Sequence, residues 1–176
     1  MQSYSEFLDL SVGFPQEGFT VIDDELYFQD LNLMEMIETY GTPLRFTYLP
    51  QISKKIQQAK ILFQQAIIKN NYRGDYKYCY CTKSSHFRHI VEEALKNDIH
   101  LETSSAFDMP MIEALEKKGK VSKDITVICN GFKTYQYKQY IVDMLHDGFK
   151  NIIPVLDNKE EFNLYDDEVE MDTPCN

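Results

Sequence analysis

Hydrophobic and polar positions follow two different periods along this chain. Phe19-Thr20-Val21-Ile22 and Leu26-Tyr27-Phe28 are short β-type runs on either side of the turn signal Asp23-Asp24, which predicts a hairpin. Leu33, Met36, Ile37 and Tyr40 then recur at helical spacing, and Gly41-Thr42-Pro43 stops that helix. From there strand-like and helix-like stretches take turns. Leu44–Leu49 reads as a strand. Ser53 can cap a helix with Ile56, Ala59, Leu62, Phe63, Ala66 and Ile67 on its apolar face. Tyr76–Thr82 is the next strand, and Ser85 can cap a helix from His86 to Asn97. Strands follow at Ile99–Thr103, Ile125–Cys129 and Asn151–Leu156, with helices over Ala106–Gly119 and Tyr135–His146 between them.

Strands separated by helices of this length pair in parallel through right-handed crossovers. Five such units in a row leave an open doubly wound sheet or part of a (β/α)8 barrel. A whole barrel takes roughly 250 residues, more than this chain offers. The chain is therefore expected to stop in mid-fold, with residues 1–30 as a β lead-in and 31–176 as an incomplete α/β body.

Composition narrows the function classes. Of 176 residues 43% are hydrophobic and 26% charged, which suits a packed globular domain. The net charge of −10 would repel nucleic acid and anionic membrane surfaces. No apolar run is long enough to span a bilayer, and the first residues lack the basic and apolar regions of a signal peptide. Cys79, Cys81, Cys129 and Cys175 match no zinc or redox spacing, so reduced core thiols in a cytoplasmic protein are expected.

In parallel α/β folds the carboxyl ends of the strands form the active face. The residues falling there are Thr82-Lys83-Ser84-Ser85, Glu102-Thr103-Ser104-Ser105, Asn130-Gly131-Phe132-Lys133 and Asp157-Asn158. Alternation puts Cys79, Cys81 and Lys83 on one face and Tyr78, Tyr80 and Thr82 on the other. The small cysteines suit a crowded barrel interior, which would aim Lys83 into the barrel mouth. A partly desolvated lysine there has a lowered pKa and acts as a nucleophile or Schiff-base amine. On position alone a lysine snorkelling at a strand end is the favoured reading. His86 and His89, three apart, read as a solvated helix face, and Asp157 as a helix cap.

Tyr80-Cys81-Thr82-Lys83-Ser84-Ser85, preceded by Tyr40-Gly41-Thr42-Pro43-Leu44, resembles the opening of the fold-type III pyridoxal-phosphate enzymes, the alanine-racemase-like barrels. Their usual pattern is Tyr-Gly-Thr-Pro-Leu and then Tyr-Ala-Val-Lys-Ala-Asn. Here Cys81, Thr82, Ser84 and Ser85 stand in for Ala, Val, Ala and Asn. The resemblance continues through Glu102-Thr103-Ser104-Ser105, Asn130-Gly131-Phe132-Lys133 and Asp157. Among the subfamilies the stretch is most similar to bacterial biosynthetic arginine decarboxylases.

The resemblance implies a partial TIM-type barrel binding pyridoxal 5'-phosphate (PLP), with Lys83 as the Schiff-base lysine. It implies cofactor contacts from Glu102, near the ring, and from Ser105 and Asn130. Ser105 equally suits a structural cap, and Asn130 and Lys133 lie on the active face. The implied reaction is decarboxylation of a small-molecule basic amino acid, arginine to agmatine in polyamine biosynthesis. The alternatives are a non-catalytic PLP-binding relative, or a decarboxylase of ornithine, lysine or diaminopimelate. The family's phosphate loop, stacking histidine and C-terminal β-domain have no counterpart here, so the chain by itself is expected to be inactive, and the full-length protein to be a dimer or higher homo-oligomer.

Overall fold

The computed structural model describes residues 18–163 and 165. They divide into two compact units, one extending through Thr47 and one beginning at Tyr48. This division lies beyond the boundary suggested by pattern at residue 30, because the helix after the hairpin packs on the hairpin's own strands.

In the first unit β1 (Phe19–Ile22) and β2 (Glu25–Phe28) are antiparallel, with Phe19 opposite Phe28 and Ile22 opposite Glu25. The two residues between them, Asp23 and Asp24, both have positive φ, 50° and 62°. A two-residue hairpin turn of this kind matches the right-handed strand twist, and Asp tolerates it better than most residues. β3 (Leu31–Asn32) pairs with β2, and its Asn32 caps α1 (Leu33–Tyr40) by accepting from the amides of Met34 at 2.8 Å and Glu35 at 3.2 Å. Phe28 packs edge-on against Phe19 and Phe46.

Leu44–Tyr48 forms no strand, against expectation. Leu44, Phe46 and Tyr48 are half-buried while Arg45 and Thr47 are exposed, so the alternation is real. A strand is defined by ladder hydrogen bonds, however, and this segment makes none.

The second unit opens with α2 (Pro50–Lys69), started by a proline at its first turn. Then come β4 (Cys79–Cys81), α3 (Arg88–Leu95), β5 (His100–Thr103), a 3₁₀ turn (Ala106–Asp108) and α4 (Met109–Lys117). β6 (Thr126–Cys129), α5 (Tyr135–His146), β7 (Asn151–Pro154) and α6 (Lys159–Asn163) complete it. The four strands form one parallel sheet in the order β4-β5-β6-β7. Each strand neighbours the one before it, with no reversal of direction.

The faces of this sheet differ. Leu101, Thr103, Val127, Cys129 and Ile152 are buried beneath the helices, against Met109, Ile112, Tyr137, Ile141 and Met144. Tyr80 packs on the same core and Thr82 is buried, the side expected for them. The opposite face carries Cys81, Glu102, Ile128 and Ile153, half-buried or exposed. Parallel sheets are ordinarily covered on both faces.

α2 departs from its expected burial. Only Ile56 is buried, in a small cluster with Ala94 and Ile99, while Leu62 and Phe63 are exposed. The first half of the helix lies on α3 and the sheet, and the second half runs past them, where Phe63 stacks on Tyr76 with centroids 4.0 Å apart. Ser53 and Ser85 are not caps. α2 starts three residues before Ser53, whose hydroxyl donates to Glu93, and α3 starts at Arg88. Among the described residues no helix is long and apolar enough to cross a membrane.

Candidate active site

The site is built from the carboxyl ends of β4, β5 and β6. The Thr82 amide donates to the Glu102 carbonyl at 2.9 Å, carrying the β4–β5 ladder one residue past Cys81. The Ser84 amide and hydroxyl then both donate to the Cys81 carbonyl, at 3.1 and 2.9 Å. This folds a tight turn with Lys83 at its crown. Lys83 is exposed, not partly desolvated as expected. Desolvation at a strand end needs elements facing the open side of the sheet, and this unit covers the other side. Among the described residues its amine has no hydrogen-bond or ion-pair partner, so it is available to react.

Glu102 lies directly across from Cys81 on the neighbouring strand. Its carboxylate accepts from the Cys81 thiol at 3.8 Å and from the Asn130 carboxamide at 3.1 Å. Strand pleating explains the grouping: Cys81, Glu102 and Asn130 share the open face and meet across three adjacent strands. The free thiols of Cys79 and Cys81 lie on this face, and burial and the Glu102 charge push the Cys79 thiol up in pKa, keeping it protonated.

Ser105 sits apart from that group. Its amide and hydroxyl both donate to the Asp108 carboxylate, at 3.1 and 3.2 Å, and the Ser104 amide adds a third bond at 3.0 Å. The serine is thus engaged in shaping the start of the 3₁₀ turn. Asp157 is not a side-chain cap; Asn158 accepts from the Glu161 amide at 2.9 Å and does that work.

Tyr137 and Glu161, which pattern alone does not single out, hold the site's loops together with Lys133. Tyr137, completely buried, places its hydroxyl 2.6 Å from Thr103 Oγ1 and donates to the Asn130 carbonyl at 3.2 Å. Burial is the main force raising its pKa, so the phenol stays neutral. Glu161, also buried, accepts from the amides of Lys133 and Asp157 at 3.2 and 3.1 Å. Burial alone would raise its pKa, but those two amides and the Lys133 charge outweigh it and hold the carboxyl below its ordinary value. Lys133 is buried, and its ammonium donates to the carbonyls of Gly131 and Val155. Burial lowers its pKa against the opposing pull of Glu161, Cys129 and Asp157. The sequence places Lys133 on the active face by its position after a strand end, and no signal in it marks Tyr137 or Glu161.

The donor set fits the aldehyde and ring end of PLP: a free amine able to condense with an aldehyde at one strand end, and a carboxylate with its carboxamide partner at the ends of the next two strands. Among the described residues there is no group of three or more His, Cys, Asp or Glu that could hold a metal ion.

No family model matches the chain. It is 29% identical to the biosynthetic arginine decarboxylase of Alkalilimnicola ehrlichii over 100 residues, 55% of this chain and 15% of that protein. It is 26% identical to the biosynthetic arginine decarboxylase of a Nostoc species over 144 residues, 76% of this chain and 20% of that protein. The chain thus spans a fifth or less of the curated relatives it matches. Its fold matches the crystal structure of the biosynthetic arginine decarboxylase of Campylobacter jejuni with a TM-score of 0.65, over 93% of this chain and 28% of that one, at 17% identity. In sequence and in fold the chain is similar to one part of the biosynthetic arginine decarboxylases.

Proposed function

We propose that this chain is the cofactor-anchoring part of a PLP-dependent arginine decarboxylase of the alanine-racemase-like family, forming agmatine and carbon dioxide for polyamine biosynthesis. The observation that carries the reading is the free amine of Lys83 at the carboxyl end of a parallel strand, with Glu102 and Asn130 at the ends of the next two. PLP supplies an electron sink for the pair left on the α-carbon when carbon dioxide departs. Lys83 would hold the cofactor through its free amine. Glu102 would set negative charge beside the ring, Asn130 orients that carboxylate, and Ser105, bonded to Asp108, shapes the loop after β5. The remainder of a (β/α)8 barrel then covers the open face of the sheet, which the monotonic order β4-β5-β6-β7 supports. The phosphate and the far end of the substrate are held by further polypeptide, in a cytoplasmic homo-oligomer.

Incubation with PLP followed by borohydride reduction tests the anchor. Peptide mass spectrometry should find the reduced cofactor on Lys83, and Lys83→Ala should abolish it. A folded protein with no adduct at Lys83 refutes the assignment. In the completed polypeptide, carbon dioxide release should be faster from arginine than from ornithine, lysine or diaminopimelate. An adduct without release from any of the four identifies a silent PLP-binding relative.

A further inference from the structure

Hydrogen bonds running in one direction join a buried ammonium to the Glu102 carboxylate. Lys133 Nζ donates to the Gly131 carbonyl and, at 2.8 Å, to the Val155 carbonyl at the end of β7. The Gly131 N–H donates to Asn130 Oδ1 at 2.8 Å, and Asn130 Nδ2 donates to Glu102 Oε1 at 3.1 Å. A backbone N–H only donates, so Asn130 must turn its oxygen to Gly131 and its NH₂ to the carboxylate. The orientation of Asn130 is therefore dictated from the Gly131 side. Gly131 in turn is held between Lys133 and Ser104; a Cβ at Gly131 would come within 2.4 Å of the Ser104 carbonyl oxygen.

A space-filling role does not explain the side chain. The stem of Lys133 lies near Tyr137, with the ammonium 5.2 Å from the ring centroid. A methionine would fill that volume without the desolvation of a charge. What the ammonium adds is donors aimed at the carbonyls of two successive strand-end loops.

We propose that Lys133 is a positioning residue for the Glu102 carboxylate, acting through the Gly131 backbone and the Asn130 carboxamide. Its bearing on cofactor chemistry rests on the reading of the Lys83–Glu102 face proposed above; the hydrogen bonds themselves do not.

Nuclear magnetic resonance of the isotope-labelled protein without cofactor tests it. The wild type should show a slowly exchanging Lys133 ammonium signal and two well-separated Asn130 carboxamide proton signals. In Lys133→Met the Asn130 signals should collapse to free-amide positions and the Gly131 amide should exchange about tenfold faster, with strand amide shifts unchanged. Adding Lys133→Met to Asn130→Ala should speed Gly131 exchange no further. Asn130 signals unmoved in a folded Lys133→Met protein, or fully additive effects, overturn the proposal. Should Lys133→Met not fold, the wild-type ammonium decides: couplings through the hydrogen bonds to the Gly131 and Val155 carbonyls uphold it, and a freely exchanging ammonium overturns it. The Lys83 adduct is scored separately. Relay signals without an adduct sink the cofactor reading alone, and an adduct without relay signals sinks this one alone.

Discussion

Gly131→Ala isolates the backbone contact on which the site's loops depend. Gly131 has a φ of +80°, and an added Cβ would lie 2.4 Å from the Ser104 carbonyl oxygen, about 1 Å inside ordinary contact. Gly119, after α4, has a φ of +66° with open space around the Cβ position. Alanine at Gly119 therefore meets only the dihedral penalty, about 1 kcal/mol. At Gly131 the same penalty is joined by backbone displacement, about 1–3 kcal/mol by analogy with overpacking. The total of about 3 kcal/mol is a large share of a typical domain's stability. With a urea slope of about 2 kcal/mol per M, the unfolding midpoint should fall by about 1.5 M for Gly131→Ala and about 0.5 M for Gly119→Ala. The assay is equilibrium urea unfolding followed by far-ultraviolet circular dichroism. Equal shifts for the two variants would show that Gly131 does not rest on Ser104, and the account of the loops would fail with it.

Tyr137→Phe removes a buried hydroxyl bonded to Thr103 and the Asn130 carbonyl. At roughly 1 kcal/mol per bond it should lower stability by about 1–2 kcal/mol and the melting temperature by about 3–6 °C; calorimetry showing no change rejects the bonding. His100 accepts the Thr126 amide at Nδ1, 3.2 Å away, and so must be neutral there. Burial, helped by Lys77 and Lys60 against Asp98, pulls its pKa below the ordinary 6.5. The unfolded chain therefore takes up the proton first, and stability should drop as pH falls through 6.5 until the folded value is reached. Melting curves from pH 7.5 to 5 should show this slope in the wild type and lose it in His100→Gln. An identical slope in both would reject the assignment.

Much of the fold is legible where information is local. α1 and α5 run over the very residues that helical spacing marks, and Asp23-Asp24 turns as its residue types require. The Tyr-Cys alternation of β4 assigns its two faces correctly, Tyr80 to the helix-covered core and Cys81 to the open side, because pleat parity sets the face on which each side chain lies. Positions at or just past the carboxyl ends of three successive parallel strands put Lys83, Glu102 and Asn130 at one end of the sheet. Their strand-end order, and the family resemblance it carries, is what marks them as a candidate site.

Other features depend on which segments meet. Leu44–Tyr48 keeps its alternation yet is no strand, since a ladder needs a neighbour that no local pattern supplies. Ser53 has the right chemistry for a cap, but its hydroxyl finds Glu93 forty positions away. Tyr137 and Glu161 look like ordinary helix residues, and Lys133 like an open active-face cation, until packing buries them and aims each at backbone groups across the gap between strand ends. Periodicity records whether a position faces in or out. The partner it finds there is set by sheet register and loop path, which exist only once the strands are side by side.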